Sequence, residues 1–143
     1  MKSPSRGYTK GFLLAIALSL VVGLGATMVA NPVTAEMKAM NHEGYLADVL
    51  CATRGTALDG ADMMKYPEKH TVACLLEPQC ASSGYGILTK GKDGAYTFHK
   101  FDKKGNEVAL ELIKKTQKKD SLSVMVTGQI KEGVVNVESI VEK

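Results

Sequence analysis

The chain has 143 residues, with 18 Lys and Arg against 15 Asp and Glu, a formal net charge of +3, three cysteines and no tryptophan. Lys2, Arg6 and Lys10 carry the whole excess, so from Glu36 onward the two signs balance. A balanced domain lacks the basic footprint of a nucleic-acid binder, and no nucleic-acid partner is expected. The run Lys114-Lys115 with Lys118-Lys119, beside Glu111 and Asp120, reads as a solvated helix end. The length suits one domain with a single modest core.

Residues 1–35 read as a secretory signal. Lys2, Arg6 and Lys10 form a basic start, and Gly11 to Ala30 is uninterrupted by charge. Val33 and Ala35 then occupy the −3 and −1 positions of a cleavage site before Glu36. The destination is periplasmic or extracellular. The apolar stretch is also long enough to span a bilayer, so residues 11–30 acting as an uncleaved anchor is the alternative, and the only membrane contact foreseen.

Residues 36–43 read as a flexible leader, and 44–143 as the folded domain. From Gly44, Tyr45, Ala47 and Val49 alternate with Leu46, Asp48 and Leu50, a first strand running into Cys51. Residues 53–66 carry Gly55 and Gly60 and read as a loop. Pro67 suits the first turn of a helix that continues until Pro78 stops it, which puts His70 and Cys74 on one face. Gly84 to Lys90 and Ala95 to Phe101 form a hairpin around Gly91-Lys92-Asp93-Gly94. The glycines of Gly84-Tyr85-Gly86 suit close backbone packing rather than a phosphate loop. Asn106 is the expected N-cap of a helix whose stripe Val108, Ala109, Leu112, Ile113 and Thr116 reads as core. Leu122, Val124, Val126, Gly128 and Ile130 alternate with polar positions, and VVNVESIVE returns after Lys131-Glu132-Gly133. The expected class is mainly β (α+β): a small five-stranded Greek-key barrel of oligonucleotide/oligosaccharide-binding (OB) type. A helix lies between strands 3 and 4, and another is inserted after strand 1.

The stretch Gly44-Tyr45-Leu46-Ala47-Asp48 to Cys51, His70-Thr71-Val72-Ala73-Cys74, Cys80-Ala81-Ser82-Ser83-Gly84-Tyr85-Gly86 and FDKKGNEVA resembles a group of small exported bacterial proteins of unassigned activity. The resemblance covers most of residues 36–143. It implies a bacterial source and one unit made of Cys51, His70, Cys74 and Cys80, and it carries no catalytic residues.

Those four residues are the candidate site. Three thiols and an imidazole suit zinc or a softer ion such as Cu(I), although no Cys-x-x-Cys pair is present. Met37, Met40, His42, Met63 and Met64 are further soft donors. An odd cysteine count outside the cytoplasm equally suits one disulfide, Cys51–Cys74, Cys51–Cys80 or Cys74–Cys80, with a spare thiol. The first expectation is an exported, non-catalytic metal-binding module. The alternative is a disulfide-stapled module that binds a protein or small ligand. A third reading, a redox enzyme using Cys74 activated by His70, lacks a recognisable third member. Asp48 reads as either a buried polar anchor or an outward residue. His99, among Tyr96, Phe98 and Phe101, has no obvious partner.

Overall fold

The computed structural model describes residues 38–143; the expected signal segment, residues 1–35, and Glu36 and Met37 lie outside the described residues. The elements are β1 (Met40–Asp48), α1 (Val49–Arg54), a 3-10 turn (Pro67–Lys69), α2 (Val72–Leu75), α3 (Pro78–Ser83), β2 (Tyr85–Lys90), β3 (Tyr96–Phe101), α4 (Lys103–Lys115), β4 (Ser123–Lys131) and β5 (Val134–Glu142). Five strands in one sheet with few helices agree with the mainly β, α+β expectation.

β1 pairs antiparallel with both β2 and β4, and β2–β3 and β4–β5 are antiparallel hairpins. β3 meets β5 in parallel at Lys100–Val134 and Phe101–Val135, so the pairing order β1-β2-β3-β5-β4 returns to β1. The last hairpin turns on Glu132 and Gly133, with φ of 52° and 79°, the left-handed pair that matches strand twist. Gly44 is required by space, because a Cβ there would run into the Leu88 carbonyl.

Alternation along the strands sorts side chains into two cores. Leu46, Ile87, Phe101, Val124, Val126, Val135 and Val137 fill the barrel interior, joined by Ala109 and Ile113 of α4. Each such side chain, once buried, contributes on the order of 1.5–3 kcal/mol. The opposite face of β1 and β2 presents Ala47 and Leu88 to a second core formed with Cys51, Ala52, Ala57, Ala61, Met63, Cys74 and Cys80. The segment between β1 and β2 builds that second core. Val49 N–H donates to the Gly84 carbonyl at 2.9 Å, so the segment leaves and re-enters the sheet at one point.

Several boundaries differ from the sequence expectation. β1 begins at Met40, so Met40–Glu43 of the expected leader is strand, held by pairing Met40 to Gly128 through Tyr45 to Ser123. Its inward positions there are Met40 and His42, which give no apolar alternation to read. The strand stops at Asp48 because the Asp48 side chain accepts from Cys51 N–H and caps α1; Cys51 is therefore helical. The single helix expected from Pro67 to Glu77 is broken at His70, which is extended (φ −68°, ψ 127°), and Thr71 caps α2 afresh. Pro78 starts α3 rather than ending a helix, since a first-turn position needs no N–H. Asp102, not Asn106, caps α4 by accepting from Gly105 N–H; Asn106 instead accepts from Tyr85 N–H.

Candidate metal centre

Each cysteine is the third residue of a short helix: Cys51 in α1, Cys74 in α2 and Cys80 in α3. The Asp48 and Thr71 side chains accept from the Cys51 and Cys74 backbone N–H at 2.9 and 3.1 Å. The three helix starts converge on one place. All three thiols are buried and free, and their Sγ atoms lie within 4.8 Å of one another. Cys51 Sγ and Cys80 Sγ are 3.8 Å apart, well beyond the roughly 2.05 Å of a disulfide. No disulfide joins any of the three expected pairs. Sulfurs about 2.3 Å from a tetrahedral zinc are separated by about 3.8 Å, so the donor set fits a thiolate-bound ion.

His70 is buried between two carboxylates. Nε2 lies 3.1 Å from Asp48 Oδ2 and Nδ1 lies 3.2 Å from Asp59 Oδ2. Only a ring with a proton on each nitrogen, the cationic form, donates to both. Asp59 Oδ2 also accepts from the Thr71 N–H and hydroxyl, each at 2.8 Å. Burial acts to raise both carboxyls. For Asp48 the bonds from His70 and Cys51 N–H outweigh it, and for Asp59 those from Thr71 do, so both sit below the ordinary carboxylate value.

The expected shared helix face of His70 and Cys74 is therefore replaced by a different relation. His70 neighbours the sulfurs, with Asp48–Cys51–His70 and Asp59–His70–Cys74 each grouped within 4.8 Å, but its ring nitrogens already face oxygen. To ligate an ion through a neutral nitrogen it must release a carboxylate.

Burial, with the nearby Asp48 charge, pushes the Cys51 thiol up to about 12. Burial followed by the Asp48 charge pushes Cys80 up as well. A nucleophilic cysteine needs the opposite shift. An ion, by contrast, displaces the thiol protons and supplies the positive charge that three buried thiolates lack. An approach exists: a surface cleft of about 370 Å³ lined by Leu58, Asp59, Thr71, Ala73, Cys74, Glu77 and Gln79 reaches Cys74 between two acidic side chains.

Of the further soft donors, Met63 is fully buried in the core that contains the three cysteines, while Met64 is exposed. Met40 and His42 lie on β1, on the barrel strand rather than in a leader. Asp48 and Asp59 were not assigned a site role from sequence. One signal was present: Asp48, Thr71 and Glu77 each stand three residues before a cysteine, the spacing of an N-cap to the third helical residue. No protein family, curated protein or solved structure matches the chain.

Proposed function

We propose that this chain is an exported, non-catalytic binding module on an OB-type Greek-key barrel, whose inserted segment holds a soft metal ion through Cys51, Cys74 and Cys80. The observation that carries the reading is the convergence of three buried Sγ atoms within 4.8 Å. The ring of strand pairings supports the barrel type, and the acidic cleft over Cys74 supplies a cation's route. His70, buried beside the sulfurs, is held between the Asp48 and Asp59 carboxylates. Cu(I) suits a three-sulfur site, whereas zinc recruits His70 as the fourth ligand at the expense of one carboxylate contact.

The test is intact mass and metal content of the natively purified chain, followed by X-ray absorption of the loaded form. A sulfur-only shell identifies the three-thiolate site, and a mixed sulfur–nitrogen shell identifies the four-ligand form with His70. A chain that keeps no metal under metal-replete conditions, and that shows a mass lower by two hydrogens, overturns the reading.

That last outcome is the second reading, a module stapled by a disulfide with a spare thiol for a protein or small-ligand partner. The 3.8 Å approach of Cys51 and Cys80 favours that pair, leaving Cys74 beside the cleft. The thiol-enzyme reading is the weakest of the three, because the His70 ring nitrogens are taken up by Asp48 and Asp59 and are not turned to Cys74 as a base.

A further inference from the structure

Two histidines outside the cysteine cluster have polar atoms that the fold leaves unused. His42 Nε2 and His99 Nδ1 are both buried and have no hydrogen-bond partner among the described residues. A buried polar atom in that condition is costly unless something binds it. The sheet register places both on the inner face. Leu46 pairs with Ile87, and Ile87 with His99, so His99 shares the face of two residues of the barrel core. His42 pairs with Val126, another interior residue, and stands four residues before Leu46 on the same strand. Burial first, and then the charge of His42, disfavours the protonated form of His99.

Met40 continues the same face to the rim, where it is exposed beside His42 in a cleft of about 270 Å³ that also holds Lys38, Gly128, Gln129 and Ile130. Two inward-facing imidazoles, with a thioether on the same strand face as His42, are donors that a Cu(I) ion takes, and none of them needs to lose a proton to bind as a neutral ligand. The Lys38 ammonium at the rim weighs more heavily against a divalent ion than against a monovalent one.

We infer that His42 and His99, with Met40 at the rim, form a second Cu(I) site inside the barrel, separate from the cysteine centre. The site depends on no cysteine and stands whether or not the thiols hold metal.

Competition of the purified chain with a chromophoric Cu(I) chelator tests it, alongside NMR of the imidazole ring signals in the unsubstituted chain. Cu(I) is diamagnetic, so the His42 and His99 ring signals shift without being lost. The expected result is a Cu(I) equivalent weakened at least about tenfold by His42→Ala and by His99→Phe, since even outer partners of a ligand are worth 10- to 100-fold. Cys51→Ser leaves that equivalent in place; if it removes every bound ion, the barrel site is refuted while the cysteine reading stands. Ring signals unmoved by Cu(I) in the unsubstituted chain overturn the inference without relying on any variant's folding. Unchanged uptake in both histidine variants overturns it too.

Discussion

The two cores of this protein are held by different means. The barrel interior is aliphatic and repetitive, a set of Val, Ile, Leu and Phe side chains aligned by backbone pairing around the ring. The inserted segment has short helices and small side chains, and its order depends on a few polar atoms: Asp48, Asp59, His70 and Thr71. Apolar burial is spread over many partners, so one loss is shared. A buried charge network is not shared in that way, and removing one member strands the others.

The sharpest way to break the comparison is His70→Ala. It leaves the fully buried Asp48 carboxylate unpaired and is expected to destabilise the fold by about 3–5 kcal/mol, read by chemical denaturation. Hydrogen exchange should show residues 49–84 losing protection while β4 and β5 keep theirs. Equal loss in both regions means that the segment and barrel form one cooperative unit. The same variant does not by itself discriminate metal binding from a disulfide, because the metal-free fold already contains the Asp48–His70–Asp59 network.

Acid is a milder probe of the same atoms. The Asp48 and Asp59 carboxyls have folded values below 3.8, so the unfolded chain takes up protons first as pH falls. Their contribution is therefore present above about pH 4 and is lost as pH drops through the lower folded values. A stability–pH curve should decline on that limb, and Asp59→Asn should flatten it. An unchanged limb in the variant removes Asp59 from the network.

The smallest expected effect is that of Thr71→Val, which deletes a cap on α2 and one hydrogen bond to Asp59 while keeping the side chain's shape. A loss of about 1 kcal/mol is expected in denaturant melts. A loss as large as that of His70→Ala would show that the cap, rather than the ion pair, organises the segment.

The same contrast explains what could be read from the sequence. The β4–β5 hairpin was legible because Val124 and Val126 alternate with polar neighbours and a glycine turn follows. The Ala109–Ile113 face of α4 was legible from its helical spacing. The cysteines and His70 stood out by chemistry; the structure gathers the three sulfurs and sets His70 beside Cys51 and Cys74, with its ring nitrogens on Asp48 and Asp59. The Asp48–His70 and Asp59–His70 contacts join residues 22 and 11 positions apart, and a polar contact across a loop leaves no period in the chain. Met40–Glu43 escaped as a strand because its inward positions are a methionine and a histidine, the pair that also makes the rim of the barrel distinctive.

Helix α2 has only four residues, yet it belongs to both cores: Val72 and Leu75 enter the barrel cluster, and Cys74 enters the other. A rigid single turn cannot shift one side without the other. A ligand or oxidant that moves Cys74 is therefore expected to disturb the packing of Val72 and Leu75 as well. By linkage, a ligand that prefers one setting of this turn is itself bound more tightly when the barrel favours that setting. A displacement of Cys74 is therefore expected to register at Val72 and Leu75, one helical turn away from the sulfurs.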